Sequence, residues 1–189
     1  MKVVETAIPE VKIFVPKKFA DHRGFFSETY NKKVFENWGV RLDFIQDNHS
    51  LSAEKGTIRG LHFQTPPFAL DKLIRVIKGS IFDVAVDIRK NSPTFGKHVS
   101  MVLSADQGNQ ALIPIGFAHG FCTLEPSTEV IYKVTNYYSP THDKGLLWND
   151  PDLAIEWPVT GKEAVLSDKD KVHPRLRNLK DLFEYKPRD

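Results

Sequence analysis

Cysteine is nearly missing: the 189 residues hold one, Cys122. No intramolecular disulfide can form and no multi-cysteine metal site exists, which fits a reducing compartment. A charge excess is missing too. The 26 basic and 24 acidic side chains leave a net charge of +2, too little for a broad nucleic-acid-binding field. Any anion site must therefore come from a few converging groups. No apolar run approaches the roughly 18 residues of a membrane span. The stretch MKVVETAIPEVKIFVPKKF sets charges and prolines where a signal peptide needs an unbroken apolar core. These absences predict a soluble, cytoplasmic protein with neither a membrane nor a nucleic-acid partner. Repeats, low-complexity linkers and compositional breaks are also lacking, so residues 1–189 read as a single domain. At this length roughly 70% of the unfolded surface can be buried without staples.

What is present is a series of short strand-like segments. Val11 to Pro16, Thr57 to Gln64, Lys72 to Gly79, Ile81 to Arg89, His98 to Ser104, Gln110 to Pro114 and Glu129 to Tyr138 are rich in β-branched and aromatic residues. Gly, Pro, Asn or Ser separate them at short intervals, the pattern of an antiparallel sandwich or barrel. A parallel sheet would need crossover helices, for which the middle of the chain has no room. Helix is expected at Asn31 to Gly39, with Asn31 as N-cap, Val34, Phe35 and Trp38 apolar, and a terminating glycine. A second is expected at Pro174 to Phe183, where Leu176, Leu179, Leu182 and Phe183 stand at helical spacing.

The segment GNQALIPIGFAHGFCT is the most specific signal. Gly108 permits a turn conformation closed to other residues, Pro114 and Gly116 make a tight connection, and His119 then enters a strand. This spacing resembles the second sequence motif of the cupins, small jelly-roll barrels, with Thr123 where cupins usually carry Asn. The predicted fold is an all-β, cupin-type jelly-roll barrel with short peripheral helices. The first cupin motif normally supplies most of a metal site through His-x-His and a following Glu. Here His62 takes the first His position, Gln64 replaces the second, and Lys72 stands near the Glu position. An ammonium binds a metal only when deprotonated. His62 with a distant His119 falls short of the usual three protein ligands. A metal-free site is therefore expected, working with acids, bases and fixed positive charge.

His62 and Lys72 suit that chemistry. An imidazole titrates near neutrality and can take a proton from carbon, and a fixed cation can stabilise the enolate left behind. Arg59 lies three residues before His62, so strict alternation would put the two on opposite faces. Gly60 between them could host a bulge that re-aims one side chain. Asp83 and Asp87 share one parity of IFDVAVDIR, and an inward Asp83 would need a partner, such as a pocket His or Lys. Tyr132, Tyr137 and Tyr138 are ordinary strand residues, but a phenol can act as a general acid and a ring can stack on a heterocycle. DHRGFFSETY and FIQDNHS are too polar for core strands and suit a polyhydroxylated, anionic ligand.

Together these segments resemble the dTDP-4-dehydrorhamnose 3,5-epimerase family, metal-free cupins of deoxysugar-nucleotide synthesis. The likeness runs in family order from DHRGFFSETY through IRGLHFQTPP, LIPIGFAHGF, EVIYKVTNYYSP and GLLWNDPDLAIEWP to LSDKD, about Asp21 to Asp170. It implies inversion of C3 and C5 of a dTDP-linked 4-keto-6-deoxyhexose, with no cofactor. It implies His62 as general base with Asp170 orienting it, Lys72 as enolate stabiliser and Tyr132 as general acid. Arg23, Phe26, Glu28, Gln46, Asn48, Arg59, His119, Tyr138, Asp143 and Lys169 would hold the substrate, Tyr138 by stacking on thymine. It further implies a homodimer with strand exchange, in which Arg23, Phe26 and Glu28 cross to the partner's site. Asp71 sets a carboxylate beside Lys72 where the family usually has a small residue. A single-carbon epimerase and a non-catalytic sugar-binding cupin are the alternatives.

Overall fold

A computed structural model describes residues 1–180 and 182–186. In chain order the elements are β1 (Lys2–Glu5), β2 (Lys12–Val15), β3 (Phe19–Asp21), β4 (Gly24–Phe26), α1 (Lys32–Asn37), β5 (Gln46–Ser52), β6 (Ile58–Gln64), β7 (Lys72–Lys78) and β8 (Ser80–Asp87). There follow β9 (Arg89–Lys90), β10 (His98–Ser104), β11 (Gln110–Ile113), β12 (Phe117–Thr123), β13 (Thr128–Val134), β14 (Asp143–Gly145), a 3-10 turn at Leu176–Asn178 and β15 (Phe183–Glu184). A six-stranded sheet in the order β1-β2-β11-β7-β13-β5 faces a five-stranded sheet in the order β10-β8-β12-β6-β14. Every pairing within these two sheets is antiparallel. The all-β jelly roll expected from the sequence is what the chain forms.

The core follows from side-chain alternation. On β10, Val99, Met101 and Leu103 are buried while Ser100 and Val102 are exposed. They meet Ile81 and Ala85 of β8, Phe117 and Phe121 of β12, and Ile74, Val76, Ala111, Ile113 and Val130 of the facing sheet. The opposite parity of β7 and β11 places Leu73 and Leu112 in a second cluster with Phe14 and Phe35. β12 lies between β8 and β6 and is buried at all seven positions. A strand covered on both faces loses its alternation, so FAHGFCT reads as continuous core.

α1 is shorter than the segment predicted for it. Asn31 caps it by accepting from the Lys33 N–H at 3.1 Å, and Phe35 stacks on Phe14 at 4.5 Å between ring centres. Trp38, expected on the apolar face, is the C-cap and is exposed. Among the described residues of the predicted C-terminal helix no α-helix forms: Leu176–Asn178 make one 3-10 turn, and Phe183–Glu184 pair in parallel with β9. Leu176, Leu179, Leu182 and Phe183 still cover Leu61, Phe63 and Val86 on the outer face of the five-stranded sheet. The leucine spacing reported burial correctly, and an irregular strap satisfies it as well as a helix would.

β6 carries the irregularity that shapes the site. His62 pairs with His119 and Arg59 with Phe121, so three residue steps on β6 span two on β12. Gly60 absorbs the extra residue at φ +137°, and a Cβ there would lie 2.4 Å from the Gly120 Cα. Only glycine fits a left-handed backbone pressed against a neighbouring strand. The bulge brings Arg59 and His62 to the same cavity wall.

Candidate active site

The cavity, about 440 Å³, opens between the two sheets. β6 supplies Arg59 and His62, β7 supplies Lys72 and Ile74, β12 supplies His119 and Phe121, and β13 supplies Tyr132. A C-terminal loop closes one side with Ser167, Lys169 and Asp170. Lys72 and Tyr132 thus come from one sheet and His62 from the other, across the cavity. Ile74 and Phe121 went unremarked in the sequence, although each stands two residues from a named site residue and so shares its face.

His62 Nε2–H donates to Asp170 Oδ1 at 2.6 Å. Burial alone would raise the Asp170 carboxyl, but His173, His62 and Ser167 outweigh it and hold the group well below the usual carboxylate range. Asp170 is therefore an anion that keeps the His62 proton on Nε2 and leaves the ring's lone pair on Nδ1. The Lys72 ammonium donates to the His62 carbonyl at 3.2 Å. Burial pushes Lys72 down to about 8, with Asp143 and Asp83 partly opposing the shift. The Asp71 carboxylate is turned away, accepting from the Ile115 N–H and the Thr135 hydroxyl, both at 3.0 Å. Burial raises the Tyr132 phenol, so it stays protonated at neutral pH.

His119 Nε2–H donates to the fully buried Asp83 at 2.8 Å. Burial lowers the His119 pKa against the pull of Asp83. Asp87, of the same parity, instead receives Arg89, Ser92 and Thr94 and anchors a loop. The cupin metal positions do not fit an ion here. Gln64 spends its amide on the carbonyls of Phe68 and Tyr137 and on the Ser139 N–H, His119 is engaged by Asp83, and Lys72 is a cation near neutrality.

The remaining predicted binding residues do not line this cavity. Gln46 donates to Asn48 at 2.9 Å, and both share by alternation the face of β5 that carries the cavity residue Ser50. Asp143 receives the Lys169 ammonium and, at 3.3 Å, the Tyr138 hydroxyl. Tyr138 is 59% exposed. Arg23, Phe26 and Glu28 lie on or beside the β3-β4 hairpin, exposed and outside the lining of this chain's own cavity. His173, which no sequence argument singled out, stands with its Nε2 3.6 Å from Asp170 Oδ1.

The family model described as dTDP-4-dehydrorhamnose 3,5-epimerase matches residues 5–178. The dTDP-4-dehydrorhamnose 3,5-epimerase of Shigella flexneri is 54% identical over 171 residues, 90% of this chain and 93% of its own. The crystal structure of the Bacillus anthracis dTDP-4-dehydrorhamnose 3,5-epimerase, with TDP and PPi bound, is 58% identical with a TM-score of 0.89, covering 92% of this chain and 98% of its own. The dTDP-6-deoxy-D-glucose-3,5-epimerase of Legionella pneumophila, in complex with dTDP-4-keto-L-rhamnose, is 42% identical with a TM-score of 0.94, covering 98% and 99%.

Proposed function

The chain belongs to the dTDP-4-dehydrorhamnose 3,5-epimerase family, and from that premise we propose how its residues divide the reaction. The activity is inversion at C3 and C5 of dTDP-4-dehydro-6-deoxy-D-glucose, giving dTDP-4-dehydro-L-rhamnose. The C4 ketone acidifies the hydrogens on both neighbouring carbons. His62 Nδ1 takes one as a proton, and the C–H electron pair moves onto the C4 oxygen as an enolate. Asp170 steadies the imidazolium that forms. The Lys72 ammonium stabilises the oxyanion, a contact stronger in the transition state than in the ground state. Tyr132, across the cavity, returns a proton to the opposite face of the carbon; the phenolate is reprotonated from solvent and the His62 imidazolium gives its proton to solvent, which resets both groups. Repetition at the second carbon completes the change. Neither redox change nor group transfer occurs, so the reaction needs no cofactor.

The observation that carries this reading is the 2.6 Å contact of His62 with an anionic Asp170, facing Tyr132 across a cavity that also holds Lys72. In heavy water the protein is expected to place deuterium at both C3 and C5. Tyr132→Phe is expected to keep His62-driven exchange and lose net inversion, because the proton then returns to the face it left. Inversion at the normal rate in that variant would remove Tyr132 as the acid. Product NMR against time measures both.

Arg59, His119 and Lys169 hold the sugar and diphosphate, with Gln46, Asn48 and Tyr138 toward the base. The hairpin residues Arg23, Phe26 and Glu28 serve the partner's cavity in a strand-exchanged homodimer. The support is exposure of apolar rings on one small hairpin: Phe19 at 54%, Phe25 at 62% and Phe26 at 71%. Such a patch is costly to leave in water. Mixing inactive His62→Ala subunits with Arg23→Ala subunits is expected to restore activity, since one site of each mixed dimer then holds both groups. Absence of rescue, with dimers verified by light scattering, would overturn the exchange.

A further inference from the structure

Asp170 Oδ1 has two imidazole nitrogens beside it: His62 Nε2 at 2.6 Å and His173 Nε2 at 3.6 Å. The three donor atoms all lie within 4.8 Å of one another. His173 is only 10% exposed, and its Nε2 is buried with no hydrogen-bond partner. Its position is nonetheless enforced. The ring lies against Gly145, where a Cβ would come within 2.5 Å of Nε2, and it meets the His62 ring edge-on at 5.6 Å.

Two imidazoles and a carboxylate are the ligand set of an open zinc site. Zinc bonds of about 2.0–2.2 Å would set such ligands roughly 3.3 Å apart. The observed 2.6 and 3.6 Å separations bracket that spacing. Oxygen-seeking magnesium and calcium have no preference for this set. His62, 31% exposed, borders the cavity and gives an ion its entry. The cations lining the same cavity are Arg59, Lys72, which donates to the His62 carbonyl, and Lys169, which pairs with Asp143.

We propose that His62, Asp170 and His173 form an inhibitory site for a divalent ion of the zinc class, which switches the epimerase off. Binding itself is independent of the catalytic assignment, while the inhibition rests on His62 being the base. Zinc takes the Nε2 lone pair of each imidazole, so the neutral His62 ring must carry its one proton on Nδ1. No lone pair then remains to accept a proton from carbon, and Asp170 is bound as a zinc ligand. This site shares His62 with the cupin metal positions and takes its other two ligands from the C-terminal loop; the other three cupin positions are committed elsewhere.

The test titrates chelator-treated protein with zinc chloride by calorimetry and follows epimerisation in parallel. One ion per chain and loss of activity over the same concentration range are expected. Cobalt in place of zinc is expected to give the visible ligand-field bands of a low-coordinate nitrogen and oxygen site. His173→Phe keeps a ring against Gly145 and removes the donor. Its zinc affinity should fall about 100-fold or more, since even a partner outside the coordination sphere is worth about 10- to 100-fold. Stoichiometric zinc that ignores His173→Phe, or no cobalt bands in the parent protein, would overturn the site. Zinc bound at His173 without inhibition would overturn the switch. Titration needs no turnover, so a protein that binds zinc but never exchanges deuterium would sink the epimerase assignment and leave the site standing.

Discussion

His62→Ala is expected to lower kcat by about a thousandfold, within the range of about 10²–10⁴ that a positioned general base supplies. The fold should survive. His62 lies on β6, whose course is set by the Gly60 bulge and by pairing with β12 and β14, not by the imidazole. Asp170 would lose its shortest contact and keep Ser167 and His173 nearby. One base serves both carbons in the proposed scheme, so deuterium entry at C3 and C5 should fall together in the variant. A variant that exchanges C5 at the parent rate while C3 is silent would require a second base. Unchanged exchange at both positions would remove His62 from the chemistry. Isotope ratio at each carbon, read by mass spectrometry of the isolated product, distinguishes these results.

The part of the site that sequence reasoning could reach is the part built on strands. Alternation puts Lys72 with Ile74, and His119 with Phe121, because period two is a local property of the chain. Turn chemistry at Pro114 and Gly116 then fixes where β12 begins. The Arg59 and His62 conflict was legible as well, since two functional side chains three residues apart with a glycine between them ask for a bulge. What the residue pattern alone could not supply is what the C-terminal strap brings in; Asp170 was named only through the family resemblance. Asp170 meets His62 across 108 positions of sequence, through a loop with no periodicity. His173 in that loop looked like any surface histidine. The four apolar positions from Leu176 to Phe183 recorded burial and said nothing about backbone form. The Asp71 carboxylate was misleading for a related reason: adjacency in sequence on a strand means opposite faces, and its oxygens serve Thr135 and Ile115, not the Lys72 ammonium.

Lys72→Met is expected to reduce kcat by about 10²–10³, the usual loss when one donor to a developing oxyanion is removed. Methionine keeps the length and apolar stem of lysine and removes the charge, so β7 should keep its register with β11 and β13. The stronger test is pH. Burial brings Lys72 down to about 8. Below that value the group is an ammonium and the oxyanion has its partner; above it the amine is neutral and the stabilisation is lost. Activity of the parent should therefore fall as pH rises through about 8, and this limb should be missing from the residual activity of Lys72→Met. Lys72→Arg separates charge from geometry. A guanidinium stays protonated throughout this range, so any activity it retains should show no loss near pH 8. The lone groups that could imitate such a limb are few: Tyr132 is raised by burial and Cys122, raised to about 11, is buried outside the cavity lining. An alkaline limb that persists unchanged in Lys72→Arg would assign it to the substrate or to another residue, and the enolate would then need a different partner from the one β7 supplies.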